Sequence, residues 1–298
     1  MTPIVLCVPG SEALAGVIAS ELTATIAELE YRQFPDGEYY CRTHTALADR
    51  EVIVVGTLAH PTDKFLLLAF LASMARDEGA RRVGLVTPYL AFMRQDASFA
   101  PGEAVTAVHF AKLMSTTFDW LVTVDPHLHR VATLSELYSI PTQVAHAASD
   151  IAAWVRTHVA HPYFVGPDLE SHQWVQAVAD KINAPCLILE KTRRGDRDVS
   201  VSTPTIQWQH AGGAYTPVII DDIISTGRTM LRAVEQVTAT GGAAPVCIGI
   251  HPVFADDVEA QLRNAGARDV ISCNTIAHST NAICVRTTIA QAVGALLA

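Results

Sequence analysis

The sequence predicts an α/β protein made of two domains with the same organisation. Short apolar segments rich in Val and Ile alternate with segments of helical periodicity along all 298 residues. Such alternation is typical of a mainly parallel sheet flanked by helices on both faces. The series runs to about residue 145 and then resumes, and Ile140-Pro141 interrupts the chain near that point. We therefore expect two domains, 1–145 and 146–298.

The individual elements follow this scheme in chain order. In the first domain we expect strands at 4–8, 51–55, 82–86 and 120–124, and helices at 11–22, 62–78 and 103–114, with a short helix after the fourth strand. In the second we expect strands at 163–165, 186–189, 218–220, 246–250 and 270–273, and helices at 150–159, 171–182, after 229, and at 256–265. A closing helix near 288–297 has an apolar pattern suited to packing on either domain.

Composition and charge restrict the class of protein. Hydrophobic residues make up 50% and charged residues 17%, enough for a large core. The net charge of −9 disfavours nucleic acid or an anionic membrane as a partner. The first basic residue is Arg32, which argues against a signal peptide, and the most apolar helix is too short to span a bilayer. Six cysteines without metal-like spacing predict buried free thiols and a cytoplasmic protein.

The stretch 218–229, VIIDDIISTGRT, gives the strongest indication of a site. An apolar strand is followed by two carboxylates, a hydroxyl-rich turn and a helix; the polar members are Asp221, Asp222, Ser225, Thr226, Gly227, Arg228 and Thr229. Backbone N–H groups and the helix dipole favour a phosphate at such a turn, and the carboxylates suit sugar hydroxyls or a divalent cation. An ordinary capped turn would also contain these residue types, but seldom two adjacent carboxylates after a strand. The Walker and Rossmann glycine motifs are absent from the sequence.

A second stretch, 121–130, has the sequence LVTVDPHLHR. If its backbone stayed extended, Asp125, His127 and His129 would share one face at the carboxyl edge of a parallel sheet, where ligands bind. The alternative is a helix that starts at Pro126, capped by Asp125, with its histidines in solvent. The spacing alone leaves both interpretations open.

Four further stretches have an ordinary interpretation when taken singly. Residues 87–103, TPYLAFMRQDASFAPGE, resemble a surface loop in which Asp96 is an ordinary loop residue and Glu103 a helix cap; residues 34–38, FPDGE, form a common turn. In 165–174, VGPDLESHQW, Asp168 ends a strand. In 190–198, EKTRRGDRD, several basic residues crowd into one loop, and a charge run is usually a solvated surface.

Taken together, and in their order along the chain, the six stretches resemble the ribose-phosphate diphosphokinases, also called phosphoribosyl diphosphate synthetases. The resemblance covers nearly the whole chain. Type I phosphoribosyltransferases share the VIIDDIISTGRT pattern, but FPDGE and the R-Q-D segment followed by P-G-E are typical of the diphosphokinases. The resemblance implies two tandem domains of the type I phosphoribosyltransferase kind. It also implies transfer of the diphosphoryl group of MgATP to the anomeric hydroxyl of ribose 5-phosphate, giving phosphoribosyl diphosphate and AMP for nucleotide biosynthesis.

The resemblance also implies roles for individual residues. The residues implied in ATP binding are Phe34, Asp36, Glu38, Arg94, Gln95 and His127. Those implied in ribose 5-phosphate binding are Asp221, Asp222, Ser225, Thr226, Gly227, Arg228 and Thr229. His127 and Asp168 would flank the Mg²⁺ ion, and Lys191 and Arg193 would be catalytic residues of a mobile loop. Because FPDGE reaches the ATP of a neighbouring subunit in this family, a homo-oligomer with shared active sites is implied, a dimer or a multiple of dimers.

The chain also departs from the family pattern. After Asp168 many members have Gly and a basic residue, whereas this chain has Glu170, Ser171 and His172; Ser225 stands where many have Asp, and Arg228 where many have Gly. Three alternatives therefore stay open. They are a phosphoribosyltransferase, a catalytically silent regulatory paralogue, and the same chemistry on a different sugar phosphate.

Overall fold

A computed structural model describes residues 2–189, 193–194, 198–199, 207–210, 213–255 and 257–298. The strands are β1 Ile4–Cys7, β2 Thr25–Ile26, β3 Leu29–Gln33, β4 Tyr39–Thr43, β5 Glu51–Val55, β6 Arg82–Val86, β7 Trp120–Val124, β8 Thr142–Ala145, β9 Pro162–Gly166, β10 Cys186–Ile188, β11 Arg193–Arg194, β12 Asp198–Val199, β13 Gln209–His210, β14 Gly213–Ala214, β15 Thr216–Ile224, β16 Val246–Pro252, β17 Asp269–Cys273 and β18 Asn281–Ile283. The helices are α1 Glu12–Glu21, α2 Pro61–Asp77, α3 Thr106–Thr117, α4 Ala148–His158, α5 His172–Ile182, α6 Arg228–Ala239, α7 Val258–Asn264 and α8 Arg286–Leu297.

The chain divides into two compact units, each with its own parallel sheet. Unit 1 comprises Met1–His146 and Arg286–Ala298, and unit 2 comprises Ala147–Val285. The sheet of unit 1 has the strand order β2-β1-β5-β6-β7-β8, and that of unit 2 has β10-β9-β15-β16-β17-β18. Every neighbouring pair in both sheets is parallel. The predicted α/β class with two parallel sheets is therefore confirmed.

The two units share one topology. When the strands of each parallel sheet are numbered in chain order within their unit, both sheets have the spatial order 2-1-3-4-5-6. The antiparallel additions occupy the same place in both units, between the second and third strands: the hairpin β3-β4 in unit 1, and the pairs β11-β12 and β13-β14 in unit 2. In such sheets the direction of chain progression reverses between the first and third strands, and ligands bind outside the carboxyl ends of the strands at that point.

Apolar side chains fill the interior of each sheet. All five residues of β5 and of β7 are buried, as expected for parallel strands covered on both faces. Trp120 lies over Gly84 of the neighbouring strand, and its Nε1 donates a hydrogen bond of 2.7 Å to Oε1 of Glu51. Arg82 Nε lies 3.2 Å from the same carboxylate oxygen. The buried polar atoms at this amino-terminal edge of the sheet are thus paired with one another.

Several element boundaries differ from prediction for identifiable reasons. Strand β15 continues through both aspartates to Ile224, because Ile223 and Ile224 still pair with β16. Helix α3 begins at Thr106 and Glu103 is not its cap; the Glu103 carboxylate instead accepts N–H groups of Phe99 and Ala100, at 2.6 and 3.1 Å. The short helix expected after β7 is a single 3₁₀ turn, Leu134–Glu136.

The closing helix α8 packs within unit 1, against α1, β7 and β8.

All six cysteines are free thiols; Cys247 and Cys273 are buried, but Cys284 is exposed and so departs from the expectation of burial. Within the described ranges, no helix combines the length and apolar character needed to cross a membrane.

The contact between Gly84 and Trp120 predicts a selective loss of stability. A Cβ atom on Gly84 would lie 1.8 Å from the Trp120 ring, so Gly84→Ala should lower the free energy of unfolding by about 2–3 kcal/mol. The matched control is Gly16→Ala in α1, where a Cβ meets nothing within 4 Å and a gain of about 0.5–1 kcal/mol is expected. Urea unfolding of both variants measures the difference, and equal stabilities would contradict the packing argument.

Candidate functional site

The first candidate site lies at the carboxyl end of β15 in unit 2. Asp222 is buried and Asp221 half-buried, and each carboxylate accepts the next backbone N–H, at 2.7 and 3.0 Å respectively. The chain then turns into α6 at Gly227, whose φ of +68° lies in the left-handed region. A Cβ there would also lie 2.5 Å from Cγ1 of Val258. Both the backbone angle and the close approach therefore require glycine at this turn.

Backbone hydrogen bonds from the end of β16 hold this turn in place. Phe254 N–H donates to the carbonyl of Ile224, and Ala255 N–H donates to the carbonyl of Ser225, both at 3.0 Å. The N-terminal end of α6 directs its N–H groups toward the turn that precedes it, as every helix does. A turn held through its carbonyl groups at the start of a helix is suited to bind an anion.

Asp168 joins the two aspartates at the same edge of the sheet. It follows β9, which pairs with β15, and its Oδ1 accepts the N–H of Glu170 at 3.1 Å. Burial raises the pKa of Asp221 well above its ordinary value of 3.8, and the carboxylates of Asp222 and Asp168 raise it further. A divalent cation or a polyhydroxyl ligand at this edge would relieve the repulsion between these carboxylates.

These carboxylates do not make a complete metal centre by themselves. Within the part of the chain that the structure describes, no three His, Cys, Asp or Glu side chains are arranged so that they could hold one metal ion. A cation at this edge would therefore take additional ligands from a substrate or water, as Mg²⁺ commonly does.

In unit 1, the segment after β7 contains a pair that the sequence analysis did not find. Asp125 is buried with a φ of +28°, and its Oδ1 lies 2.8 Å from Nδ1 of His146. Its backbone N–H also donates to the carbonyl of Ala145. The backbone after Asp125 is an open loop, so the alternative of a helix starting at Pro126 is wrong. The rings of His127 and His129 lie 6.5 Å apart in that loop.

The loop that carries Arg94 and Gln95 follows β6, the neighbour of β7. Arg94 is exposed, and Gln95 Nε2 donates to the carbonyl of Ala97 at 3.2 Å. Asp96 is not the ordinary surface residue that we expected. Its side chain is only 3% exposed and forms an ion pair with Arg130, in the segment after β7.

The FPDGE stretch forms the tip of the hairpin β3-β4, so the predicted turn is present. Phe34 N–H donates to the Glu38 carbonyl at 2.7 Å, and Gly37 has a φ of +96°. Asp36 Oδ1 accepts the Glu38 N–H at 3.1 Å, and Phe34, also at the tip, is 39% exposed. The Arg32 guanidinium lies 4.9 Å from the centre of that ring.

The proposed catalytic loop falls largely outside the described residues. Lys191 lies outside them, and for Arg193 the structure describes the backbone, which pairs with Val199 in the β11-β12 hairpin. The roles predicted for these two residues stay predictions.

The repeated sheet topology and the acidic step before Gly227 indicate the general class to which this protein belongs. The two units share one parallel topology, and the third strand of the second carries paired carboxylates before the Gly227 turn; the chain is of the phosphoribosyltransferase type. Residues 134–291 match the family model of the phosphoribosyl transferase domain.

Comparison with known proteins then shows the particular family. Residues 4–117 match the family model of the N-terminal domain of ribose phosphate pyrophosphokinase, another name for ribose-phosphate diphosphokinase. A ribose-phosphate pyrophosphokinase of Saccharolobus solfataricus is 32% identical over 274 residues, 90% of this chain and 92% of that protein. One of Methanobrevibacter smithii is 31% identical over 292 residues, 94% of this chain and 96% of that protein. This chain belongs to the ribose-phosphate pyrophosphokinase family, which confirms the resemblance seen in its motifs.

A solved structure shares the whole fold. The crystal structure of phosphoribosylpyrophosphate synthetase from Mycobacterium smegmatis matches with a TM-score of 0.84 at 21% identity. The match covers 100% of this chain and 99% of that chain, so the fold likeness includes both units.

The Asp125–His146 pair predicts a pH dependence of stability. The hydrogen bond to Asp125 raises the pKa of His146 above its ordinary value of 6.5, and partial burial opposes this. A pKa raised by folding stabilises the protein fully below about pH 6.5, and the contribution disappears as pH rises through the folded-state pKa. His146→Ala should therefore lower the thermal midpoint more at about pH 6 than at about pH 9. NMR titration of the His146 ring checks the cause, because Asp125→Asn should return its pKa toward 6.5; a wild-type pKa at or below 6.5 would contradict it.

Proposed function

We propose that the protein transfers the diphosphoryl group of MgATP to the anomeric hydroxyl of ribose 5-phosphate and releases AMP. The observation that carries this proposal is the acidic step on β15 that leads into the left-handed Gly227 turn and α6. Such a site suits a phosphorylated sugar, because that ligand carries a phosphate and several hydroxyls only a short distance apart. The turn is suited to the phosphate and the carboxylates to the hydroxyls. Membership in the ribose-phosphate pyrophosphokinase family supports the same reaction.

The sugar phosphate takes the site in unit 2. Residues 225–229 and the N-terminal end of α6 bind its 5-phosphate, with Arg228 adding positive charge. Asp221 and Asp222 accept hydrogen bonds from the ribose hydroxyls. Asp222 is 4% exposed, and a hydrogen bond from a hydroxyl to a buried carboxylate is of the strong, charge-assisted kind.

The nucleotide binds to residues of unit 1. Arg94, Gln95 and His127 bind ATP from the loops after β6 and β7. Phe34, Asp36 and Glu38 contact its base from the tip of the β3-β4 hairpin, where the exposed phenyl ring stacks on the adenine on the face opposite Arg32. In a protein of net charge −9, the positive charge of Arg94 favours binding of the anionic triphosphate.

Mg²⁺ is the proposed cofactor, with Asp168 as a proposed ligand in unit 2 and His127 as a proposed ligand in unit 1. When bound, the ion offsets the negative charge of the transferring phosphates. The residues after Asp168 that depart from the family pattern fix its conformation: Glu170 N–H donates to its carboxylate, and Ser171 Oγ donates to its carbonyl at 2.6 Å. Asp168 therefore has a fixed orientation, although the residues that follow it differ from the family pattern. Lys191 and Arg193 stabilise the charge that develops on the leaving AMP.

The reaction products test this proposal directly. Protein mixed with MgATP and ribose 5-phosphate should form AMP and a sugar diphosphate, followed by phosphorus NMR. Asp222→Asn is the matched variant; it should keep the fold and lose most turnover, because one carboxylate oxygen is replaced by a donor. ADP as product, or turnover that requires a nucleobase, would contradict the proposal and favour a kinase or a phosphoribosyltransferase. No turnover with any sugar phosphate would favour a silent paralogue.

We further propose a homo-oligomer with shared active sites, a dimer or a multiple of dimers. Besides Phe34, unit 1 exposes Leu66 and Phe70 on α2 and Val108 and Leu113 on α3, each at least 45% exposed. Exposed apolar side chains of this size, when they form one patch, are typical of surfaces that associate. The free thiols support a reducing compartment, and we place the protein in the cytoplasm.

Mixed subunits test whether the hairpin serves a neighbour's site. Phe34→Ala and Arg94→Ala should each lose most activity, and mixing them should restore part of it, because some sites then combine an intact hairpin with an intact loop. Mixing Arg94→Ala with Gln95→Ala is the control and should restore none, since both changes affect the same loop. Native mass spectrometry confirms that mixed oligomers form; mixed oligomers without restored activity would contradict the shared site.

A further inference from the structure

Two loops leave neighbouring strands of unit 1 at the same edge of the sheet. The loop after β6 carries Arg94 and Gln95, and the segment after β7 carries His127; β6 and β7 pair directly, with Leu85 opposite Leu121. Neither the stretch 91–105 nor 125–130 forms a helix or strand. Their relative position therefore depends on side-chain contacts and not on a hydrogen-bonded ladder.

One ion pair joins these two loops. Arg130 Nη1 lies 2.7 Å from Oδ1 of Asp96, and the backbone N–H of Arg130 donates to Oδ2 at 3.2 Å. Both carboxylate oxygens are thus used, and the Asp96 side chain is 3% exposed. The Arg130 guanidinium also lies 4.8 Å from the centre of the Phe99 ring, which belongs to the same loop as Asp96. Arg130 is therefore held by two separate groups of that loop.

The other end of the segment is held independently. Asp125 is fixed to His146 and to the carbonyl of Ala145, as described above. His127 lies between these two anchored ends, two residues from Asp125 and three from Arg130. Without the ion pair to Asp96, one of the two side-chain anchors of this short loop would be lost.

We propose that the Asp96–Arg130 pair positions the nucleotide-binding residues, by fixing Arg94 and Gln95 relative to His127. The inference rests on the proposed function of those three residues as ATP ligands. Asp96 and Arg130 are positioning residues, since they act through their neighbours. A displacement of about 1 Å between groups that bind one substrate lowers reactivity by up to roughly 100-fold, so even a modest shift of one loop is measurable.

Kinetics with each substrate separate this role from a purely structural one. Arg130→Ala should lower kcat/KM for MgATP by roughly 10- to 100-fold. The KM for ribose 5-phosphate should change by less than about twofold, because its proposed ligands belong to unit 2. Arg130→Lys keeps the charge but loses the planar fork, so it should recover part of the loss. The losses in Asp96→Ala and Arg130→Ala should not add in the double variant, because they remove one interaction.

Arg76→Ala is the matched control. Arg76 pairs with Asp119 at 3.1 Å in the same unit, but at the amino end of β7, and the change should leave both KM values unaltered. Calorimetric binding of MgATP to each variant tests the positioning role even in the absence of turnover, so failure of the proposed reaction remains distinguishable. Weaker MgATP binding by Arg130→Ala than by Arg76→Ala supports the proposal. Equal binding and kinetics in these two variants, or equal losses for both substrates, would overturn it.

Discussion

Burial of the parallel strands on both faces is the constraint on which the rest of this protein depends. Strands such as β5 and β7 have no exposed residue, so a charged side chain within them loses its water and requires a polar partner, as Glu51 does at the first position of β5. Charged groups therefore gather at the strand ends, where the backbone leaves the sheet. At the amino-terminal edge of unit 1, Glu51 is paired with Trp120 and Arg82 and supports the fold. The candidate sites lie at the carboxyl edges, where acidic residues lie near the end of a strand or follow it: Asp125, Asp168, Asp221 and Asp222.

The two units apply one topology in different ways. In unit 2, the acidic step lies on the third strand and the Gly227 turn follows it, beside Asp168 after the first strand, where the strand order reverses. In unit 1, the residues that we propose for the nucleotide lie in the loops after the fourth and fifth strands, β6 and β7, and at the tip of the β3-β4 hairpin. A sugar phosphate is compact and suits one crevice between two strands. A nucleoside triphosphate is longer, and several loops are needed to span it.

Features encoded by neighbouring residues were predictable from the sequence, and features that join distant segments were not. The segments that form β5, β6 and β7 were predicted to the residue, because each is a short run rich in Val, Ile and Leu between predicted helices. The Asp125–His146 pair was missed because it depends on the pairing of β7 with β8, and Thr142–Ala145 is too short and polar to indicate a strand. The Asp96–Arg130 pair spans 34 residues and had no local signal. Glu103 misled the prediction of α3, since its carboxylate serves the loop before it.

The position of α8 has a consequence for how the protein is made. Unit 1 contains both ends of the chain, and α8 packs on α1 so closely that a side chain at Gly294 would lie 3.3 Å from Leu22. During synthesis, all of unit 2 therefore leaves the ribosome before unit 1 has its last helix. Residues 1–146 precede unit 2 and residues 286–298 follow it, so α1, β7 and β8 lack their contacts with α8 in the interval. A chain that stops short by a dozen residues would lack no part of unit 2, yet its defect would appear at the opposite end of the sequence, around the first helix.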